Sequence, residues 1–138
     1  MTDCSMCRKW QDDNDLRIAE LGHCYVLLNR DQFFPGYCFA VTKEHVTELY
    51  HLGLQTRQGV VEEVNRVAAV LADVFRPVKM NYELLGNMVP HMHWHLIPRF
   101  ETDPLWPKPI WAEPHDEVYL SAAVYAERVK LIRDKLEI

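Results

Sequence analysis

The sequence predicts an α+β fold, in which an antiparallel sheet of about five strands carries helices on one side. Two observations lead to this fold class. Short apolar runs separated by turn residues occur near the start of the chain and again after its middle, which is typical of antiparallel strands. Between them lies a long stretch whose apolar residues recur at helical spacing. Strands and helices that are segregated in this way are typical of α+β domains.

The strands are expected at residues 16–19, 24–29, 37–41, 80–85 and 91–99. The first three are separated by Leu-Gly at residues 21–22 and by Phe-Pro-Gly at residues 34–36, which are residues that tight turns favour. The last two are joined across Gly-Asn at residues 86–87. The first three strands therefore form a meander of antiparallel neighbours.

One long amphipathic helix is expected over residues 54–75, where Arg76-Pro77 ends the apolar pattern. A C-terminal helix is expected over residues 121–136. Residues 101–120 include DPLWPKPIWAEP, which holds four prolines and two tryptophans. Such a stretch is too irregular for a helix or strand, and it predicts an ordered loop.

The composition indicates a single domain over residues 1–138 that remains in the cytoplasm. Hydrophobic residues make up 49% and charged residues 25% of the chain, as in ordinary globular domains. The N-terminal sequence MTDCSMCRKWQDDND is polar where a signal peptide has an apolar core, and no apolar run approaches the roughly 20 residues that cross a bilayer. The formal net charge of −5 argues against binding to nucleic-acid backbones. We therefore expect neither a membrane nor a nucleic-acid partner.

The stretch PHMHWHLIPR places His91, His93 and His95 at alternate positions of the last predicted strand. Alternate side chains share one face of a strand and lie about 6.5–7 Å apart, so we expect the three imidazoles to form an exposed polar row while Met92 and Trp94 point into the core. Three kinds of chemistry fit this row. They are a metal site with further ligands, a neutral imidazole that attacks phosphorus, and a nucleotide-binding surface without catalysis.

The same stretch resembles the motif of the histidine triad (HIT) family of nucleotide hydrolases and transferases, in which His-x-His-x-His is followed by apolar positions. LLNRDQFFPGYCFAVTKEHVTELYHL is also similar to the nucleotide-binding strands of that family, and the resemblance covers roughly residues 4–111. LLGNMVPHMHWHLIPRF, followed by DPLWPKPIW, resembles bacterial members labelled diadenosine tetraphosphate hydrolases. The resemblance implies a HIT-like fold and a purine nucleotide as substrate.

The resemblance also implies roles for individual residues. His93 would be the nucleophile that attacks the α-phosphorus and forms a nucleotidyl-histidine, and His95 would contact the phosphate and assist the leaving group. Asn29 matches an asparagine near the ribose, and Asn87 matches a position at which many members carry a phosphate-binding glutamine. From its place after the triad, Arg99 is a further candidate for contact with the substrate.

One departure from the family pattern affects the candidate site. Many members have Pro-Gly-His, whereas this chain has Pro35-Gly36-Tyr37. The histidine that is often counted as a fourth partner of the triad is therefore absent. The sequence leaves open which group orients the nucleophilic ring.

A structural zinc site is the expected cofactor site, located in an N-terminal zinc-binding segment at residues 1–15. Cys4 and Cys7 in CSMC have the spacing of two thiolates on one zinc ion, and His45 with His91 would complete a Cys₂His₂ set. This set also resembles the zinc-bearing branch of the family. His91 would then be a zinc ligand, and the other two histidines of the row would take part in catalysis.

The sequence therefore predicts an enzyme that cleaves a nucleoside phosphate, a phosphoramidate or a dinucleoside polyphosphate at the α-phosphorus. Nucleotidyl transfer to another acceptor and a non-catalytic, zinc-stapled nucleotide-binding module are the alternatives. The resemblance further implies a homodimer paired through the long helix and a sheet edge. The helix supports this expectation because its apolar residues extend beyond one stripe, and they include Val60, Val61, Val64, Val67, Ala68 and Ala69.

Overall fold

A computed structural model describes residues 3–136 and contains a five-stranded sheet. The strands are β1 (Arg17–Glu20), β2 (Cys24–Leu28), β3 (Cys38–Thr42), β4 (Lys79–Glu83) and β5 (His93–Arg99). Their order across the sheet is β1-β2-β3-β5-β4, and all neighbouring pairs are antiparallel. The predicted α+β class is confirmed. Because β5 is hydrogen-bonded on both edges, the strand that carries the histidine row is held rigidly.

The helices are α1 (Ser5–Asp12), α2 (Leu54–Phe75) and α3 (Ala122–Leu136). Helix α2 has the predicted bounds. It ends at Arg76, which adopts a left-handed backbone conformation with φ of 56°, and the proline that follows cannot continue the helix. Helix α3 begins one residue later than predicted, and residues 101–120 contain no helix or strand.

Helix α1 was not predicted, because the sequence analysis treated residues 1–15 only as a zinc-binding segment. The thiol of Cys4 is the N-cap, and it accepts a hydrogen bond from the backbone N–H of Cys7 at 3.4 Å. Lys9 and Asp13, four residues apart, form an ion pair at 2.8 Å. Cysteine is not among the preferred capping residues, so the usual signal for a helix start was missing. Residues 1–2 of the segment, like residues 137–138, lie outside the described part.

Each face of the sheet carries its own apolar core. Helices α2 and α3 cover one face, where they pack on a cluster that includes Val26, Ala40 and Leu96. The opposite face carries a second cluster, whose buried members are Leu27, Phe34, Tyr37, Phe39, Val41, Ile97, Leu105 and Ile110. Met6 and Trp10 of α1 pack against that second cluster. The expectation of cover on one side alone is therefore wrong, since α1 and the proline-rich loop cover part of the other face.

The long helix exposes fewer apolar residues than the sequence analysis assumed. Val64 and Ala68 are only 4% and 2% exposed because they pack into the first core. Val61 is 45% exposed, and Ala69 is also exposed. The exposed apolar residues of α2 that a partner could cover are therefore Val61, Ala69 and Leu54 at its first turn. Within residues 3–136, no helix is both long enough and apolar enough to cross a membrane.

Candidate active site and metal site

His93 and His95 lie side by side on the second face of the sheet. Their ring centroids are 5.0 Å apart, and β5 pairs them with Val41 and Phe39 of β3. The shared face is as predicted, but the row is not exposed: His91, His93 and His95 are 1%, 6% and 7% exposed. His93 and His95 lie against aromatic rings of the second apolar core, and His91 lies against side chains of the N-terminal segment and His45. His91 lies before the strand, which begins two residues later than predicted.

The backbone determines which nitrogen of His93 carries the proton. Its Nδ1 lies 2.6 Å from the carbonyl oxygen of His91. A carbonyl oxygen can only accept, so Nδ1 carries the proton and donates, and the lone pair of the neutral ring resides on Nε2. This contact also orients the ring, which was the question left open by the missing fourth histidine. The residue that orients the candidate nucleophile is thus its neighbour in the row.

The environment of His95 is different. Burial and the neighbouring His93 lower the pKa of His95 to about 4, so the ring is neutral at neutral pH. Its Nδ1 lies 2.6 Å from the hydroxyl oxygen of Tyr37. Sequence reasoning missed this contact because Tyr37 was noted only as a lost histidine. The sequence feature that could have drawn attention to Tyr37 was the turn residue Gly36 before it, which has a φ of +89° in the structure.

Two clefts adjoin at His95 and Trp111, which line both of them. The Asn87 cleft has a volume of about 190 Å³ and is also lined by Asn87 and His93. The Asn29 cleft has a volume of about 260 Å³ and is also lined by Asn29, together with Tyr37, Phe39, Ile110 and His115. Each of the two asparagines selected from the sequence therefore lies in a cleft beside the histidine pair.

Trp111 is the aromatic residue nearest to the histidine pair in the proline-rich loop. Its ring centroid lies 5.7 Å from that of His95, and its Nε1–H donates to Glu83 at 2.6 Å. The side chain remains exposed, so it offers a ring at the mouth of both clefts. Trp106 instead packs near the guanidinium of Arg99, so the two tryptophans have different surroundings.

Arg99 lies four residues beyond His95, about 13 Å along an extended strand. It is 1% exposed, and its guanidinium donates to Asp103 at 2.7 Å and to Asn81 at 2.9 Å. Arg99 lines neither cleft. The contact with substrate that we expected from its sequence position has no support in this geometry. A buried arginine needs a carboxylate partner, and Asp103 supplies one from the loop that follows.

A second cluster lies where α1 meets the start of the row. Cys4, Cys7, His45 and His91 each offer one ligand atom, and these atoms all lie within 4.8 Å of one another. His91 Nδ1 is 3.5 Å from the thiol of Cys4, 3.4 Å from that of Cys7 and 3.1 Å from His45 Nδ1. The four residues that the sequence analysis grouped are therefore together, and they could hold a metal ion.

The donor set fits a tetrahedral metal ion. Zinc bonds of about 2.3 Å to sulfur and about 2.05 Å to nitrogen separate tetrahedral ligand atoms by about 3.3–3.8 Å. Several of the separations given above fall in or near this range. His91 Nε2 donates to the carbonyl oxygen of Thr42 at 2.8 Å, which leaves the lone pair on Nδ1, the nitrogen facing the thiols. Burial lowers the pKa of His91, which favours the neutral, metal-binding form.

Comparisons with known proteins agree on one family. Residues 11–102 match the family model described as HIT domain. The protein named Protein hit of Bacillus subtilis (strain 168) is 25% identical over 103 residues, which are 70% of this chain and 71% of that protein. A crystal structure of a histidine triad protein from Marinobacter aquaeolei VT8 is 30% identical, with a TM-score of 0.81 and 90% of each chain covered.

A third similar protein bears on the metal site. It is a zinc-bound histidine triad family protein from Mycobacterium smegmatis, whose crystal structure has a TM-score of 0.70 and 21% identity to this chain. The match covers 97% of this chain and 93% of that one. At this identity, the likeness demonstrates a shared fold.

Proposed function

Because this chain belongs to the HIT domain family, we propose that it is a nucleotide hydrolase that cleaves at the α-phosphorus through a nucleotidyl-histidine on His93. The substrate class is a nucleoside phosphate, a phosphoramidate or a dinucleoside polyphosphate. The observation that carries the proposal is the hydrogen bond from His93 Nδ1 to the carbonyl of His91. It gives the neutral ring a lone pair on Nε2, in a residue that lines the Asn87 cleft.

In the first step, the Nε2 lone pair of His93 forms a bond to the α-phosphorus. The bond from phosphorus to the leaving atom breaks, and its electron pair stays on the leaving atom. The ring now carries a positive charge, which the carbonyl of His91 stabilises through Nδ1–H. In the second step, a water oxygen attacks phosphorus, and the electron pair of the N–P bond returns to Nε2. The products are a nucleoside monophosphate, the leaving group and a proton that passes to solvent.

The clefts supply neutral donors for the phosphate. Among the described residues, neither lysine nor arginine lines either cleft. We assign Asn87 and His95, which line the same cleft as His93, as donors to the phosphoryl oxygens, and we assign Asn29 to the ribose. The rings of Phe39 and Trp111 in the Asn29 cleft provide apolar surface for a purine base.

Trapping the covalent intermediate tests this function. The protein is mixed with an α-³²P-labelled adenosine phosphoramidate or dinucleotide, quenched within milliseconds and separated from free nucleotide. We expect label on the protein that acid releases and base does not, and release of that label as the nucleoside monophosphate in water. Nucleotide binding with no labelled protein and no product would contradict the proposal and support the binding-module alternative. Release only after a second acceptor is added would support nucleotidyl transfer.

We also propose that Cys4, Cys7, His45 and His91 hold one structural zinc ion. A zinc ion bound by all four would cross-link α1 to the start of the triad strand and would have no coordination position left for substrate. The support is the clustering of four ligand atoms and the orientation of His91 by Thr42. The zinc bound to the Mycobacterium smegmatis protein of the same fold agrees with this metal.

A homodimer through α2 and the free edge of β4 is the third part of the proposal. Strand β4 is at the edge of the sheet, so its outer side presents unpaired backbone groups. Val78, which precedes the strand, and Tyr82 within it are about half exposed. The apolar residues left exposed on α2 are Leu54, Val61 and Ala69. A two-fold symmetric copy would cover both features with one isologous contact.

We expect light scattering at micromolar concentration to give twice the 16.3 kDa mass of one chain. We further expect Val61→Asp to shift the protein toward the monomer, because a carboxylate would be buried in the contact. Leu131→Asp is the matched control, since Leu131 is an apolar residue of α3 with 48% exposure against 45% for Val61. A monomer mass for the parent would exclude the dimer, and a dimer untouched by Val61→Asp would exclude this surface.

A further inference from the structure

Tyr37 is a buried residue whose backbone is held on both sides. It is 5% exposed, its N–H donates to the carbonyl of Phe34 at 3.1 Å, and its own carbonyl accepts from the N–H of Asn29 at 2.9 Å. The ring packs beside Phe39, with 5.4 Å between ring centroids. The phenol is thus a rigid group, and its oxygen lies 2.6 Å from His95 Nδ1.

The direction of this hydrogen bond follows from the partners that are present. Among residues 3–136, His95 Nδ1 is the only hydrogen-bond partner recorded for the hydroxyl of Tyr37. If Nδ1 carried the proton, the phenolic proton would be buried without an acceptor, which is costly. Burial, together with Glu83 and Asp31, raises the pKa of Tyr37, so the hydroxyl keeps its proton at neutral pH. The hydroxyl therefore donates to Nδ1, and the proton of His95 resides on Nε2.

We propose that Tyr37 is a positioning residue that holds His95 as the tautomer protonated on Nε2. The neighbouring rings then have opposite tautomers imposed by different partners, a carbonyl that accepts from His93 and a phenol that donates to His95. One ring presents a lone pair and the other an N–H donor, on a single face of β5. The consequence for catalysis rests on the function proposed above for His93.

The N–H donor has its largest effect when the leaving atom departs. The leaving atom receives the electron pair of the broken bond, and a hydrogen bond from His95 Nε2–H stabilises the negative charge that develops there. Because this charge is small in the bound substrate, the interaction raises kcat more than it changes KM. Without Tyr37, the buried ring of His95 could place its proton on either nitrogen, and only one of the two tautomers donates from Nε2.

Tyr37→Phe tests the proposal, because it removes the donor and keeps the ring. In protein labelled with ¹⁵N-histidine, NMR should show His95 protonated on Nε2 in the parent and a mixture of tautomers in the variant. For the phenyl ester of AMP, we expect kcat to fall in proportion to the loss of the Nε2–H tautomer that NMR measures, about twofold for an even mixture and about 10²-fold for complete loss of the donor, with KM within about threefold. The p-nitrophenyl ester of AMP should lose less, because its leaving oxygen delocalises the charge.

Leu105→Ala is the control for loosened packing, since Leu105 belongs to the same apolar cluster as Tyr37. This variant should keep the tautomer of His95 and a ratio of phenyl to p-nitrophenyl rates within about threefold of the parent. A proton on Nδ1 of His95 in the parent, or an unchanged His95 tautomer in Tyr37→Phe, would overturn the inference. The NMR measurement needs no turnover, so an inactive parent would refute the proposed function while the proton position is still decided independently.

Discussion

Replacing His93 by alanine is expected to lower the rate of nucleotide hydrolysis by on the order of 10⁴–10⁶-fold. No second group replaces the nucleophile, because the tautomer assigned to His95 presents an N–H rather than a lone pair. Affinity for nucleotide should stay within about tenfold, since the base and ribose are bound by other residues of the two clefts. The measurement is kcat from product formation, with the dissociation constant measured separately by calorimetry.

Two further variants make the His93→Ala result specific. His51→Ala removes an exposed histidine outside both clefts and the metal cluster, and it should retain the parental rate. His95→Gln should still acquire label from an α-³²P substrate, but more slowly, because it keeps the nucleophile and loses the imidazole donor. Turnover by His93→Ala within about tenfold of the parent, or label trapped on that variant, would refute the role of His93.

Replacing Cys4 and Cys7 together by serine is expected to abolish zinc binding and to lower the free energy of unfolding. A ligand present at 1,000 times its dissociation constant stabilises the folded state by about 4 kcal/mol, and the double variant should lose an amount of this order. Elemental analysis of protein purified without chelator should give one zinc per parent chain and none for the variant. Urea unfolding of both proteins measures the loss of stability.

Removing zinc from the parent protein tests whether the stability lost in the double variant comes from the metal. A chelator should bring the parent down to the stability of the Cys4→Ser/Cys7→Ser variant and should leave that variant unchanged. His45→Ala should weaken zinc binding, whereas His51→Ala, a nearby exposed histidine, should not. Absence of zinc from the parent, or full retention of zinc by the double variant, would refute the site. Equal stability of the parent with and without zinc would refute its structural role.

The sequence by itself determined the features that depend on local periodicity. The alternation of His91, His93 and His95 implies a shared face in any strand, and the structure has the last two on one face of β5. The helical spacing over residues 54–75 and the Arg-Pro that ends it gave the bounds of α2. These features rest on contacts a few residues apart, which a single stretch of sequence contains. The two cysteine ligands of the candidate metal site could also be predicted from the sequence, because Cys-x-x-Cys is a local pattern.

Only the tertiary structure decided which partners meet across the sheet. The order β1-β2-β3-β5-β4 places the turn before β3 against β5, and so brings Tyr37 to His95, 58 residues later in the chain. The same packing buries Arg99 with Asp103 and encloses the histidine row, which the sequence analysis took to be exposed. The proton position on His95 follows from such a contact, with the phenol of Tyr37, whereas His93 donates to a carbonyl only two residues away. The contact of His95 depends on strand order and register, which local patterns do not encode.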